Sequence, residues 1–143
     1  EIINRLLING GFTIGVAETF TGGMLSQAFC SAPSCAKFFK GGIVINRFHT
    51  QNSQYGQIAV SASPENSLRL AEIACKQFDA NIGIGIDGGT ASGEQSQFAQ
   101  AFIAIHHGKS GKDIQQTYQW RPEMLARRAV TGTLLLLRKF LIE

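Results

Sequence analysis

Segments of strand character alternate with segments of helical periodicity along most of this 143-residue chain. Such alternation restricts a chain to a sheet with helices on both faces. Phe12-Thr13-Ile14-Gly15-Val16 reads as a buried strand and Gly41 to Ile45 as a second. Asn81 to Ile86 reads as a third, with Ile82, Ile84 and Ile86 alternating with small glycines. Helices fall before and between them. Ile2, Ile3, Leu6 and Leu7 recur at helical spacing until Gly10-Gly11, and Met24 to Phe29 suits a helix. Ser63-Pro64-Glu65 opens another, because serine can cap and proline suits the first helical position. Leu68, Leu70, Ala71, Ala74, Cys75 and Phe78 supply its apolar face. Pro33 with its serines, the polar stretch Arg47 to Gln57 and the Gly/Ser/Gln-rich stretch Asp87 to Gln97 read as loops, the second with room for one helical turn. Phe98 to Ile105 and Ile114 to Trp120 read as a hairpin around Gly108 to Lys112, and Pro122 opens a last helix running to Leu141. The expected fold is α/β: one three-layer α/β/α domain over residues 1–143, with a mixed, mostly parallel sheet. The first residues look like an interrupted helix, so the chain is expected to be trimmed at that end.

Composition narrows the function classes. Hydrophobic residues make up 44% and charged residues 16%, which argues against disorder. The net charge of +3 is small and the Lys and Arg residues are scattered, so no nucleic-acid partner is expected. No apolar run is long enough for a membrane span, and the start does not resemble a signal peptide. Three cysteines, Cys30, Cys35 and Cys75, form neither a closed disulfide framework nor a zinc pattern. A reduced, cytoplasmic protein is expected. His49, His106 and His107 lack partners at metal-ligand spacing, so neither a metal site nor a His-based triad is expected, and no cofactor is expected either.

Chemistry points to strand ends. Ligands of open α/β sheets collect at the carboxyl ends of strands. After the first strand stands Ala17-Glu18-Thr19-Phe20-Thr21-Gly22-Gly23, followed by a helix. A helix starting there would aim free N–H groups and its dipole at an anion such as phosphate, and Thr19 or Thr21 would add a hydroxyl. The competing reading is a simple capped turn. Asp87-Gly88-Gly89-Thr90 follows the third strand; Asp87 could bind a ligand or act as a base, or merely brace its own turn. Lys40-Gly41-Gly42 with Asn46 and Arg47, and Arg121 before the last helix, are weaker candidates. Arg121 could grip a phosphate bidentately, although such an arginine is more often a surface residue. No G-x-G-x-x-G follows the first strand, which argues against dinucleotide binding of the Rossmann kind.

In this order the fragments resemble the C-terminal domain family of CinA, which includes stand-alone nicotinamide-nucleotide amidases. The family motif A-E-S-C-T-G-G is matched by residues 17–23. Phe38-Phe39-Lys40-Gly41-Gly42-Ile43-Val44, Ala59-Val60-Ser61 before Pro64-Glu65, Gly85-Ile86-Asp87-Gly88, Gln100-Ala101-Phe102-Ile103 and the helix from Arg121 to Arg138 look like its later segments. The resemblance implies hydrolysis of the carboxamide of nicotinamide mononucleotide, releasing ammonia, by a serine nucleophile activated through the Tyr and Lys of a Y-S-N-x-x-K segment. It also suggests a homo-oligomer. Here Thr19 replaces the serine, Asn46 the tyrosine and Gln51 the lysine, and Asp87 is a further departure. Neither Asn46 nor Gln51 can act as a base, and general-base loss costs roughly two to four orders of magnitude in rate. The expectation is a degenerate amidase site with Thr19 as remaining nucleophile. Thr21, Gly22, Gly23, Asn46, Asp87, Gly88, Gly89 and Arg121 would bind the nucleotide, with Lys40 or Asp87 as possible replacement bases. The alternative is a non-catalytic nucleotide-binding or protein-interaction module on the same fold.

Overall fold

The computed structural model describes residues 2–90 and 98–143. Its elements run α1 (Ile2–Gly10), β1 (Ile14–Glu18), α2 (Met24–Cys30), β2 (Phe39–Val44), α3 (Pro64–Phe78), β3 (Ile82–Thr90), β4 (Ala99–His107), β5 (Asp113–Trp120) and α4 (Pro122–Ile142), with short 3-10 turns at Cys35–Lys37 and Arg47–His49. The strands form one five-stranded sheet in the order β2-β1-β3-β4-β5. β1 pairs in parallel with β2 and β3, and β4 pairs antiparallel with β3 and β5. Four strands therefore run one way and β4 alone runs back, so the sheet is mixed and mostly parallel, as the alternation of elements predicts.

Side-chain alternation sorts the helices between the two faces. Ile14 and Val16 of β1, Ile82, Ile84 and Ile86 of β3, and Ile103 and Ile105 of β4 form one apolar face. It is buried under Leu7 of α1, Leu25 and Phe29 of α2, and Val130, Leu136, Leu137 and Phe140 of α4. The other face bears Gly15, Gly83 and Gly85, and α3 lies directly on it. A Cβ on Gly83 would stand 1.9 Å from the Ala71 carbonyl oxygen, and one on Gly85 would stand 2.1 Å from that of Ser67. These glycines let helix backbone touch strand backbone, which no larger residue permits.

α3 starts as its sequence predicts: Ser63 Oγ accepts from Asn66 N at 3.0 Å, and Pro64 opens the helix. One expectation is corrected. Asp87 to Thr90 belong to β3 and not to a loop, because β4 pairs with every one of them, from Asp87↔Phe102 to Thr90↔Ala99. Backbone pairing by a long antiparallel neighbour overrides the loop character of Gly88-Gly89. The rest of that expected loop, residues 91–97, lies outside the described residues.

The topology places a crevice. The chain leaves β1 through α2 to β2 on one side, then returns through α3 to β3 on the other. The carboxyl end of β1 is thus a switch point, where open sheets collect ligands.

Candidate functional site

Register brings the first candidate residues together. Glu18 pairs with Val44 on one side and Ile86 on the other. Thr19, Ile45 and Asp87 therefore follow at one level of the sheet edge. A cleft of about 470 Å³ opens there, lined by Thr19, Phe20, Val44, Ile45, Asn46, Arg47, Phe48, Gly88 and Gly89. Gly88 makes room for the wall: a Cβ on it would stand 2.7 Å from the Phe20 ring.

Two fully buried carboxylates underlie this edge, one on each face. Glu18 follows Ile14 and Val16 onto the α2 face. It accepts from Thr21 Oγ1, Leu25 N (3.1 Å), Ser26 N (3.0 Å) and Ser26 Oγ (2.8 Å). Amides at the start of α2 are thus occupied by the protein's own carboxylate, which also meets the positive end of the helix. The expectation that these amides stand free for a phosphate is corrected: the carboxylate of Glu18, at the end of β1, reaches them first. Gly22 and Gly23 keep the tight turn open, with φ of +61° and +102°, values that favour glycine. They and Thr21 do not line the cleft.

Asp87 follows Gly83 and Gly85 onto the α3 face. Its Oδ1 accepts from Thr19 Oγ1 at 3.0 Å and Arg47 Nη1 at 3.5 Å. Its Oδ2 accepts from Ser63 N at 3.1 Å and Asn66 Nδ2 at 3.0 Å. Asn66 is itself fully buried and ties the preceding loop to the site, accepting from Ala59 N and donating to the carbonyls of Ala59 and Ser61. Arg47 is held by two further carbonyls, Val60 O through Nε at 2.7 Å and Gly88 O through Nη1 at 2.6 Å. A charged group taken out of water needs such partners, since an unpaired one costs several kcal/mol, roughly.

The chemistry of the cleft follows from this network. Thr19 Oγ1 has Ile86 O at 3.2 Å and Asp87 Oδ1 at 3.0 Å as its acceptors. Its hydrogen is directed to them, and the hydroxyl offers lone pairs to a ligand. Arg47 is the ionisable side chain in the cleft lining, and a guanidinium only donates. Asp87 is the acid that touches Thr19. Asn46 lines the cleft, but its side chain caps the 3-10 turn by accepting from Phe48 N at 3.0 Å.

Other candidates lie elsewhere. Lys40 sits at the bulge between the pairs Ile14↔Phe39 and Gly15↔Gly41, and its Nζ donates to Asp79 O at 3.1 Å. That is the opposite end of β1 from Thr19, so it cannot replace a missing base. Gln51 is exposed and lies outside the cleft lining. Arg121 is exposed at the end of β5, two strands from β3. His106 pairs with Asp113 across β4 and β5. Among the described residues no group of three His, Cys, Asp or Glu side chains could hold a metal ion, and no helix is long and apolar enough to cross a membrane. Arg47, a weaker candidate from sequence, lines the cleft and reaches Asp87, whereas the bonds of Ser63 and Asn66 to Asp87 have no counterpart in the sequence reading.

The profile of the CinA C-terminal domain matches residues 1–141. The chain belongs to that family. This CinA C-terminal domain is 27% identical, over its whole length, to 36% of a Natranaerobius thermophilus protein named as competence-damage inducible. It is 23% identical, again over its whole length, to 37% of a CinA-like protein of Fervidobacterium nodosum. The chain thus spans about a third of these relatives. The fold matches solved CinA structures: TM-score 0.81 and 21% identity to competence damage-inducible protein A of Klebsiella pneumoniae, covering 99% of this chain and 93% of that one. A CinA superfamily protein of Escherichia coli gives 0.76 and 24%, covering 95% and 86%.

Proposed function

We propose that this CinA C-terminal domain binds a nicotinamide-nucleotide-like small molecule in the cleft beside Thr19 and has lost amide hydrolysis. The family resemblance supplies the ligand class. The observation that carries the loss is the closed set Thr19–Asp87–Arg47: the hydroxyl donates to a carboxylate that three other groups also hold. An activated nucleophile needs a base free to take its proton. Here the tyrosine and lysine positions of the family motif carry Asn46 and Gln51, the first used as a cap and the second outside the cleft. Titration calorimetry with nicotinamide mononucleotide, paired with an ammonia-release assay, tests this: heat of binding without ammonia is expected.

A second reading is favoured by one contact, the 3.0 Å hydrogen bond from Thr19 to Asp87. In it, Asp87 takes the Thr19 proton while Oγ1 attacks the amide carbon. The proton then passes to the leaving nitrogen, ammonia departs, and water cleaves the acyl-threonine. Ammonia release that disappears in both Thr19→Ala and Asp87→Asn would select this reading.

A further inference from the structure

Arg47 and Phe48 line the cleft and depart from the family motif, as Thr19, Phe20 and Asn46 also do. With Asn46 at its tyrosine and Gln51 at its lysine, Y-S-N-x-x-K carries serine where this chain has Arg47 and asparagine where it has Phe48. The two are built as a unit. Three contacts, to Val60 O, Gly88 O and Asp87, fix the guanidinium, whose side chain is only 11% exposed. A long side chain held this way has already lost the rotamer freedom that binding would otherwise remove.

Its Nη2 makes no hydrogen bond among the described residues. It lies 3.0 Å from where a Gly89 Cβ would stand, so any side chain at position 89 would crowd this edge of the guanidinium. The Phe48 ring stacks against the same guanidinium, 4.9 Å from its central carbon to the ring centroid, and Phe48 as a whole is 62% exposed in the cleft lining. Asn46 Oδ1 accepts from the Phe48 backbone N–H at 3.0 Å.

We infer that Arg47 and Phe48 form a recognition shelf for a planar heteroaromatic ring bearing an oxygen acceptor, the ring lying on Phe48 and the oxygen accepting from Arg47 Nη2. Aromatic rings accept flat partners by offset stacking, and a bound guanidinium donates well to carbonyl or carboxylate oxygen. Phe48 thereby selects for the ring, and Arg47 for its substituent. The inference rests on the reading of the cleft as a nucleotide site and adds which residues choose the ligand.

The experiment is titration calorimetry of the chain with nicotinamide mononucleotide, adenosine monophosphate and ribose 5-phosphate. Wild type, Phe48→Leu and Arg47→Lys are compared, with thermal melting as the check on folding. Stacking on an aromatic side chain is worth about 1–3 kcal/mol, so Phe48→Leu should weaken nicotinamide mononucleotide by about fivefold or more. It should leave ribose 5-phosphate and the melting temperature unchanged. Arg47→Lys, which keeps the charge but loses the fork, should weaken nicotinamide mononucleotide more than adenosine monophosphate, whose ring has no carbonyl oxygen. Wild-type binding of nicotinamide mononucleotide that Phe48→Leu leaves untouched overturns the shelf and spares the cleft reading. Failure of every nucleotide to bind wild type overturns both. Binding of adenosine monophosphate alone, dependent on Phe48, keeps the ring surface but overturns both the nicotinamide reading and the role given to Arg47.

Discussion

Asparagine at position 87 changes one atom of the network and removes its charge. The carboxylate now serves Thr19 and Arg47 through Oδ1, and Ser63 N and Asn66 Nδ2 through Oδ2. An asparagine offers one acceptor oxygen and one NH2 group, and the NH2 meets donors whichever way the amide is turned. Turned toward α3, it leaves Ser63 N without its partner, whereas Asn66 keeps the carbonyls of Ala59 and Ser61. One buried donor left unsatisfied costs about 1–3 kcal/mol. The opposing Arg47 loses its counter-charge but keeps Val60 O and Gly88 O. Its share is therefore nearer 1 kcal/mol than the roughly 3–5 kcal/mol of a fully broken buried pair. Asp87→Asn should thus destabilise by about 3 kcal/mol, lowering the melting temperature by roughly 6–12 °C for a chain of this size. Urea unfolding followed by circular dichroism reads this as a lower midpoint at unchanged slope. A loss below about 1 kcal/mol refutes the assignment of Asp87 as the bond between strand, loop and helix.

Further expectations concern the same frame. Gly85→Ala should cost about 3 kcal/mol or more, because the new methyl would stand 2.1 Å from Ser67 O and 2.6 Å from Ala71 N; soluble yield and the urea midpoint report it. Ser63→Ala removes the bond to Asn66 N and should cost about 1 kcal/mol in the same assay. Burial pushes the Cys75 thiol above its ordinary 9.0, against a lowering bond from Gly108 and with smaller raising effects of Glu72 and Asp113. Iodoacetamide mapped by mass spectrometry should label exposed Cys30 well before Cys75. Its stabilising contribution is whole below pH 9.0 and is lost as pH rises through the raised value, so alkaline destabilisation should be steeper in wild type than in Cys75→Ala.

Much of this architecture is legible from local chemistry. Ser63-Pro64-Glu65 marks the start of α3 because capping depends on neighbouring residues alone. The alternation of Ile82, Ile84 and Ile86 with glycine marks β3 for the same kind of reason. What stays hidden is non-local. Gly88-Gly89 has loop character, and only pairing with Gln100 and Ala101 makes it strand. Once Asp87 is read as a loop residue it needs no counter-charge, so the ion pair with Arg47, forty positions away, has no signal. Asn66, in the first turn of a helix, has the pattern of a surface residue, yet it is fully buried between loop and strand. The anion site expected at α2 fails for a related reason: Glu18 takes the amides, and strand direction decides that it faces them.

A proton NMR time course of nicotinamide mononucleotide with substoichiometric protein follows binding and turnover in one tube. Saturation transfer from protein to the pyridine ring protons is expected, with no resonances of the deamidated acid growing in. Steady conversion to the acid, abolished by Thr19→Ala, would contradict it.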